Sequence, residues 1–269
     1  MTSYRYPYEQ LILFGTVLLV LILALITGGI SGCLIPLLIL VMILLAYNMN
    51  ASRQRALLQQ GVVVSPQKTP RLAALVQDCQ RRLRPGQFQV IVSPSRQLNA
   101  YTFGLSSPEV IVVYSAMLDV MDEDELRFVI GHEMGHVALG HAWLNTLLGG
   151  MAGVPVSIGS ALLLTLAFRS WNRACEYSAD RAGLLACGKP QKAISALVKL
   201  VAGNIGSPAE LQQVLQMIER QDESLSSILS ETLSTHPMII KRIEQIRIYA
   251  STAAYQRLQT QVVQTAAGA

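Results

Sequence analysis

The sequence predicts an α+β fold, mostly helical, in which a domain with a small β-sheet is carried on an N-terminal transmembrane helical hairpin. Three observations lead there. Leu11 to Tyr47 is a run of 37 residues without one charge. Beyond it, apolar residues recur at helical spacing in several separate segments. Between the first of these and the next lie three short runs rich in β-branched residues, bounded by Pro, Ser and Gly, which read as strands.

Taken in order, residues 1–10 form an N-terminal tail with Arg5 and Glu9 as its charges. Residues 11–47 follow as the hairpin. One membrane span needs about 20 apolar residues, so a run interrupted by Gly28-Gly29-Ile30-Ser31-Gly32 and by Pro36 reads as two short spans joined by a tight glycine turn. From Asn48 to Arg96 the chain carries Arg53, Arg55, Lys68, Arg71, Arg81, Arg82, Arg84 and Arg96 against one acid, Asp78. This positive-inside bias places both ends of the hairpin on the cytoplasmic side, and the basic stretch suits anionic headgroups of a lipid bilayer. A composition of 51% hydrophobic and 14% charged residues agrees with membrane attachment. Nucleic acid is excluded as a partner, because no aromatic–basic interleaving accompanies the net charge of +4.

One feature points elsewhere. Ile30-Ser31-Gly32-Cys33 after an apolar run has the form of a lipoprotein processing box, which would make Cys33 the acylated start of an exported protein. Leu34 to Tyr47 is a second apolar span, however, where a lipoprotein would continue with a polar linker. The four cysteines, Cys33, Cys79, Cys175 and Cys187, have no metal or redox spacing and suit a reducing compartment.

Residues 48–250 make up the folded domain. Thr69 to Leu83 reads as an amphipathic helix, and Phe88–Val92, Leu98–Phe103 and Val110–Tyr114 as strands, with Ser106-Ser107-Pro108 turning between the last two. Asp122-Glu123-Asp124-Glu125 supplies an N-cap, a Glu three residues later and an acidic first turn, the start of a strong helix. Leu126, Val129, Ile130, Met134 and Val137 continue it at helical spacing. Further helices are expected around Glu176, over Gln191–Val201, Pro208–Arg220 and Pro237–Ala250. Residues 142–168 form an apolar insert, broken at Gly149-Gly150 and Gly153-Val154-Pro155, that dips into or lies along the membrane. Residues 251–269 lack a strong apolar period and read as a C-terminal tail.

Inside the capped helix stands Gly131-His132-Glu133-Met134-Gly135-His136. Two histidines four apart share a helix face and can bind one zinc ion, and Glu133 is then placed to take a proton from a water there. A hydrolytic zinc centre needs a third protein ligand and an open fourth position. His141, read as a continuation of the helix, lies about 140° round the axis from His136 and is excluded from the same ion; it reads as a polar residue near the helix end. Glu176 and Asp180 form the better pair. They are one turn apart, so Glu176 can complete the ligand set while Asp180 accepts a hydrogen bond from a ligand imidazole and fixes its tautomer. The two halves of this site flank residues 142–168, which therefore cannot be one complete span: His136 and Glu176 would lie on opposite sides of the bilayer.

His132-Glu133-Met134-Gly135-His136, Glu176-Tyr177-Ser178-Ala179-Asp180 and Thr235-His236-Pro237 resemble the motifs of the HtpX and type I CAAX prenyl protease family of membrane zinc endopeptidases. Asn99-Ala100-Tyr101-Thr102-Phe103-Gly104 is similar to that family's short segment ahead of the catalytic helix. The likeness runs from about Leu98 to Arg242. It implies a zincin-like metallopeptidase domain holding one Zn²⁺ through His132, His136 and Glu176, with Glu133 as general base. It also implies Asn99 at the substrate and His236 as a helper at the transition state. The implied activity is hydrolysis of peptide bonds in misfolded or membrane-associated proteins, in a membrane such as the bacterial inner membrane. Two rivals are a site-2-type intramembrane protease, whose motif would lie in an apolar span rather than behind four acids, and a membrane scaffold keeping only a metal site.

Overall fold

The structure, a computed structural model, describes residues 4–31, 58–104, 108–144, 146, 159–201 and 237–267, with scattered positions between 37 and 56. In chain order its elements are α1 (Glu9–Ser31), β1 (Val62–Val63), α2 (Pro70–Leu83), β2 (Phe88–Ser93), β3 (Ala100–Phe103), β4 (Glu109–Tyr114), α3 (Ala116–Val120), α4 (Glu123–Leu139), α5 (Gly159–Cys187), α6 (Pro190–Val201), α7 (Pro237–Ala250) and α8 (Ala253–Ala267).

The strands form one mixed sheet in the order β1-β2-β4-β3. β2 and β4 pair in parallel, while β1 and β3 add antiparallel on either side. The chain reaches β4 by first running out along β3, which leaves β3 at the edge. β4 is buried on both faces, which explains its unbroken Val-Ile-Val-Val run. Ile111 and Val113, with Val90 and Val92, face the helices. Val110 and Val112 join Ile91 in a smaller cluster on the other face, closed by Leu58, Tyr101 and Phe103.

α4 is the centre of the helical layer. Its start is the expected capping box: Asp122 Oδ1 accepts from the Glu125 amide at 2.9 Å and Glu125 Oε2 accepts from the Asp122 amide at 2.8 Å. Glu125 is itself buried, and Ser195 and Lys199 of α6 donate to it at 2.5 and 2.7 Å, so the same carboxylate docks α6 on the helix start. From Glu125 to Leu139 every residue except Arg127 and Ala138 is buried.

The broadest face of α4 packs against α5, and small residues make the fit. A Cβ on Gly131 would stand 2.4 Å from the Ala186 Cβ, and one on Gly135 would stand 2.7 Å from the Ala182 Cβ and 3.1 Å from the Ala179 Cα. Side chains there would hold the helices apart. Gly131 and Gly135 are one turn apart, so together they cut a flat seam along α4 into which Ala179, Ala182 and Ala186 settle.

Several expectations change. Residues 251–269 are not simply a tail: α8 occupies 253–267 and buries Tyr255 and Val262, two large residues too widely spaced to give a recognisable period. Of the tail over 1–10, the described residues 4–10 are docked, with Tyr4 and Glu9 both buried. α1 continues through Gly28 and Gly29 to Ser31, where a turn was expected; glycine costs a helix only about 1 kcal/mol per residue relative to alanine. Side chains at 23, 24 and 27–36 are outside the description, and among the described residues no helix is long and apolar enough to cross a membrane. The second arm of the hairpin is described only at scattered, helical positions. Of the 142–168 insert, 145 and 147–158 lie outside the described residues, and 159–168 open the same helix that carries Glu176. The helix expected over Pro208–Arg220, the Ser106-Ser107 turn, Cys33 and His236 also lie outside the described residues.

The seam makes a test of packing. Gly131→Ala should gain helix propensity of about 1 kcal/mol yet lose about 1–3 kcal/mol net to overpacking, lowering Tm by about 2–4 °C per kcal/mol. Pairing it with Ala186→Gly should restore most of the loss in a thermal melt. A single variant as stable as the parent would show that α4 and α5 are not held at contact by this pair.

Candidate metal centre

The seam between α4 and α5 sets the site. α4 presents His132 and His136 on one face, with their Nε2 atoms 3.2 Å apart. α5, held at contact, brings Glu176 to 3.6 Å from each: Oε2 from His132 Nε2 and Oε1 from His136 Nε2. Four ligands about 2.0–2.1 Å from a zinc ion in a tetrahedron stand about 3.3 Å from one another, so these three donors have the spacing of three of its corners. Two imidazoles and one carboxylate are also a donor set that zinc favours.

Behind the donors is a buried ionic frame. Asp180, one turn after Glu176, sits with Oδ1 3.0 Å from His132 Nδ1. Arg242, from α7, donates to both Asp180 oxygens at 2.7 and 2.8 Å and lies 2.9 Å from Glu176 Oε2. One guanidinium therefore holds both acids of the α5 pair. Its two-pronged geometry suits that task, which a lysine could not reproduce.

The same frame sets the protonation tendencies. Burial works to raise the Asp180 pKa, but Arg242 and His132 together outweigh it and hold the carboxyl below its ordinary range. Burial also opposes charge on His132, yet the hydrogen bond to Asp180 and the negative charges of Asp180 and Glu176 together carry its pKa above the usual histidine value. For His136, burial, and then the neighbouring His132, push the pKa well below the usual histidine value.

Glu133 lines the cavity beside the donors and reaches the sheet. Its carboxylate accepts the Thr102 hydroxyl of β3 at 2.6 Å. Burial raises its pKa, partly offset by His132 and by this hydrogen bond, which favours proton uptake. Thr102, Ala100 and exposed Asn99 line the same cavity, about 340 Å³, as His132, Glu133 and Glu176. The edge strand thus forms one wall of the site. His236 lies outside the described residues, but the helix that begins at Pro237 brings Ile239 and Arg242 to the cavity.

Three neighbours were not found by sequence reasoning. Arg242 and Thr102 lie within the stretch covered by the family likeness, but no spacing rule singled out either residue. His141 had a signal that was misread. α4 ends at Leu139, Gly140 takes a left-handed conformation (φ 71°), and the chain folds back so that the His141 amide donates to the His136 carbonyl at 2.9 Å. His141 is thereby buried with its Nδ1 3.1 Å from His136 Nδ1, instead of 140° away on a continuing helix. Cys175 is packed with Leu144, Phe168 and Trp171, as a small buried residue.

Comparison with known proteins matches residues 66–250 to the profile of peptidase family M48. Among curated relatives, the chain is 28% identical over 214 residues to the plastoglobule-localized metallopeptidase 48 of Arabidopsis thaliana, covering 74% of this chain and 62% of that protein. It therefore spans less than two thirds of the plant protein's length. It is 27% identical over 224 residues to a protease HtpX homolog of Ralstonia nicotianae, covering 71% of this chain and 78% of the relative. With a protease HtpX homolog of Thermococcus kodakarensis it shares 26% over 223 residues, covering 69% and 75%.

Arg242 is the residue whose loss should cost most outside the donors. Arg242→Leu leaves two acids without their cation and should destabilise the fold by about 3–5 kcal/mol. Where it still folds, zinc affinity should fall about 10–100-fold as Asp180 and Glu176 lose their orientation. Melting curves and chelator competition measure the two effects, and unchanged values in both would remove Arg242 from the frame.

Proposed function

The chain belongs to peptidase family M48, and on that premise we propose that it is a membrane-anchored zinc endopeptidase acting on misfolded or membrane-associated proteins. The observation that carries the activity is the convergence of His132, His136 and Glu176 at tetrahedral spacing, beside a buried Glu133 and an edge strand. His132, His136 and Glu176 would hold the ion, and Asp180 would fix the His132 tautomer. The ion, when bound, supplies Lewis acidity that activates water and polarises the scissile carbonyl.

The chain's own residues do the rest. Glu133 takes the proton of the attacking water on its carboxylate and passes it to the leaving amine. Its burial raises its affinity for that proton, and the Thr102 hydroxyl keeps the carboxylate aimed. Among the described residues β3 pairs with β4 along one side only, so its outer edge can bind an extended peptide by strand addition. Such binding selects unfolded segments over folded surfaces. Asn99, at the start of this strand, would orient the substrate, and His236, just ahead of α7, would donate to the developing oxyanion.

Membrane attachment through residues 11–47 has two supports. The run lacks charge, and Leu11, Phe14, Leu21 and Leu25 stand exposed along α1, Leu25 by 76%. The start of α1 is docked on α5, where the Tyr6 amide donates to Ser178 at 2.8 Å, and the chain rejoins the same domain at β1. Leaving and returning on one side suits an even number of crossings, as a hairpin provides, and the basic segment that follows supports the cytoplasm as that side. Cleavage ahead of Cys33 would remove this docked segment, which weighs against the lipoprotein alternative.

Glu133→Gln should keep zinc but lose at least about 10²–10⁴-fold in casein cleavage, whereas His136→Ala and Glu176→Ala should lose both. His236→Ala should fold and bind zinc while cleaving more slowly. Full proteolysis by Glu133→Gln would overturn the mechanism, and a parent chain that cleaved nothing would reduce the reading to a membrane scaffold.

For topology, reporters fused just after Tyr47 and at the C-terminus should both register the cytoplasm, and one at Gly29 the opposite side. A mature chain beginning at lipidated Cys33, seen by mass spectrometry, would replace this arrangement with an exported one.

A further inference from the structure

Glu9 is a buried acid, 1% exposed, at the head of a helix that is otherwise uncharged, and the mechanism above makes no use of it. Its Oε1 lies 3.1 Å from Nε2 of His141, itself 1% exposed. His141 Nδ1 in turn lies 3.1 Å from His136 Nδ1. We propose that Glu9 and His141 are positioning residues of the metal centre, acting in series to fix the His136 imidazole. The proposal rests on the reading that His136 binds zinc through Nε2.

Proton placement supports the series. An imidazole that ligates through Nε2 carries its proton on Nδ1 and needs an acceptor there. For His132 the acceptor is Asp180. For His136 the nearest polar atom among the described hydrogen bonds is a second imidazole nitrogen, so His141 must present a lone pair at Nδ1 and keep its proton on Nε2. That proton then faces the Glu9 carboxylate. One tautomer of His141 satisfies all three groups, and both ligand histidines end up backed by a carboxylate, one directly and one through a neutral imidazole.

The surroundings hold this arrangement. Ser178 donates to the other Glu9 oxygen and Arg5 pairs with the carboxylate. Arg5 also donates to the Leu139 carbonyl at 3.1 Å, at the end of α4, and Arg181 donates to the Arg5 carbonyl at 3.2 Å. Trp171 packs edge-on against the His141 ring, with centroids 6.0 Å apart. The consequence is specific. The first turn of the proposed membrane helix is wired to one zinc ligand, so the anchor and the metal centre are built as one unit. Glu9, His141 and Cys175 also bring donor atoms within 4.8 Å of one another, but both His141 ring nitrogens are already committed in the series.

The test uses the full chain in detergent, with zinc affinity measured by chelator competition and stoichiometry by metal analysis. His141→Phe keeps the ring packing and removes both nitrogens; it should weaken zinc binding about 10–100-fold. His141→Asn, which keeps an acceptor for His136, should recover part of that loss. Glu9→Leu should weaken zinc binding too, and the Glu9→Leu/His141→Phe double variant should bind zinc as His141→Phe alone does, because the two act in series. A cobalt-loaded protein should show a changed visible spectrum in His141→Phe, which a loss of fold stability alone would not produce. Wild-type zinc affinity in His141→Phe, or fully additive losses in the double variant, would overturn the proposal, as would two zinc ions per chain, which would make the cluster a second metal site. A parent chain that binds no zinc would instead overturn the metallopeptidase reading itself.

Discussion

Contact between α4 and α5 at glycine distance is the constraint on which the rest of the molecule depends. Two of the three candidate ligands are on one helix and the third is on the other, and donor atoms 3.2–3.6 Å apart leave almost no tolerance in the spacing of the helix axes. Gly131 and Gly135 alternate with His132 and His136 along α4. The residues that set the distance and the residues that use it are thus adjacent in sequence. One face of α4 packs on Ala179, Ala182 and Ala186, and the adjoining face looks into the cavity.

A tight helical contact places charged groups where water is scarce, and the second layer of the structure answers that cost. Buried charges are tolerated when paired and hydrogen-bonded. Arg242 neutralises Asp180 and contacts Glu176, Lys199 and Ser195 satisfy Glu125, and Arg5 and Ser178 satisfy Glu9. These pairs come from α6, α7 and the N-terminal segment. Each distant element is therefore fastened to the α4–α5 pair by an ionic contact as well as by packing. Glu133 is the exception that chemistry needs: it is buried and held by one neutral hydroxyl, and so remains free to take a proton.

The sheet contributes in a different way. β4 is buried between two apolar clusters and gives the domain a rigid floor. β3 hangs on its edge, with Thr102 turned to the site and Tyr101 and Phe103 turned to the opposite cluster. Period-two alternation therefore divides one short strand between chemistry and core. The same strand offers a polar edge on which an extended chain can be laid next to Glu133.

What the sequence determined by itself was most of the local structure around the site. The α4 cap follows from Asp122 and Glu125, the shared face of His132 and His136 from a spacing of four, and the pairing of Glu176 with Asp180 from the same rule. Strands β2, β3 and β4 were legible from β-branched runs and their Pro, Ser and Gly borders. Tertiary structure alone decided what meets across the chain: Arg242 with Asp180, 62 residues away in sequence; Thr102 with Glu133; and Glu9 with His141. No periodicity encodes those meetings, because they depend on how three helices and a strand close around one cavity. His141 shows the boundary sharply. Helical geometry kept it from the same ion, and a single left-handed residue, Gly140, folds it back behind His136, because one change of backbone hand at a helix end redirects every residue that follows.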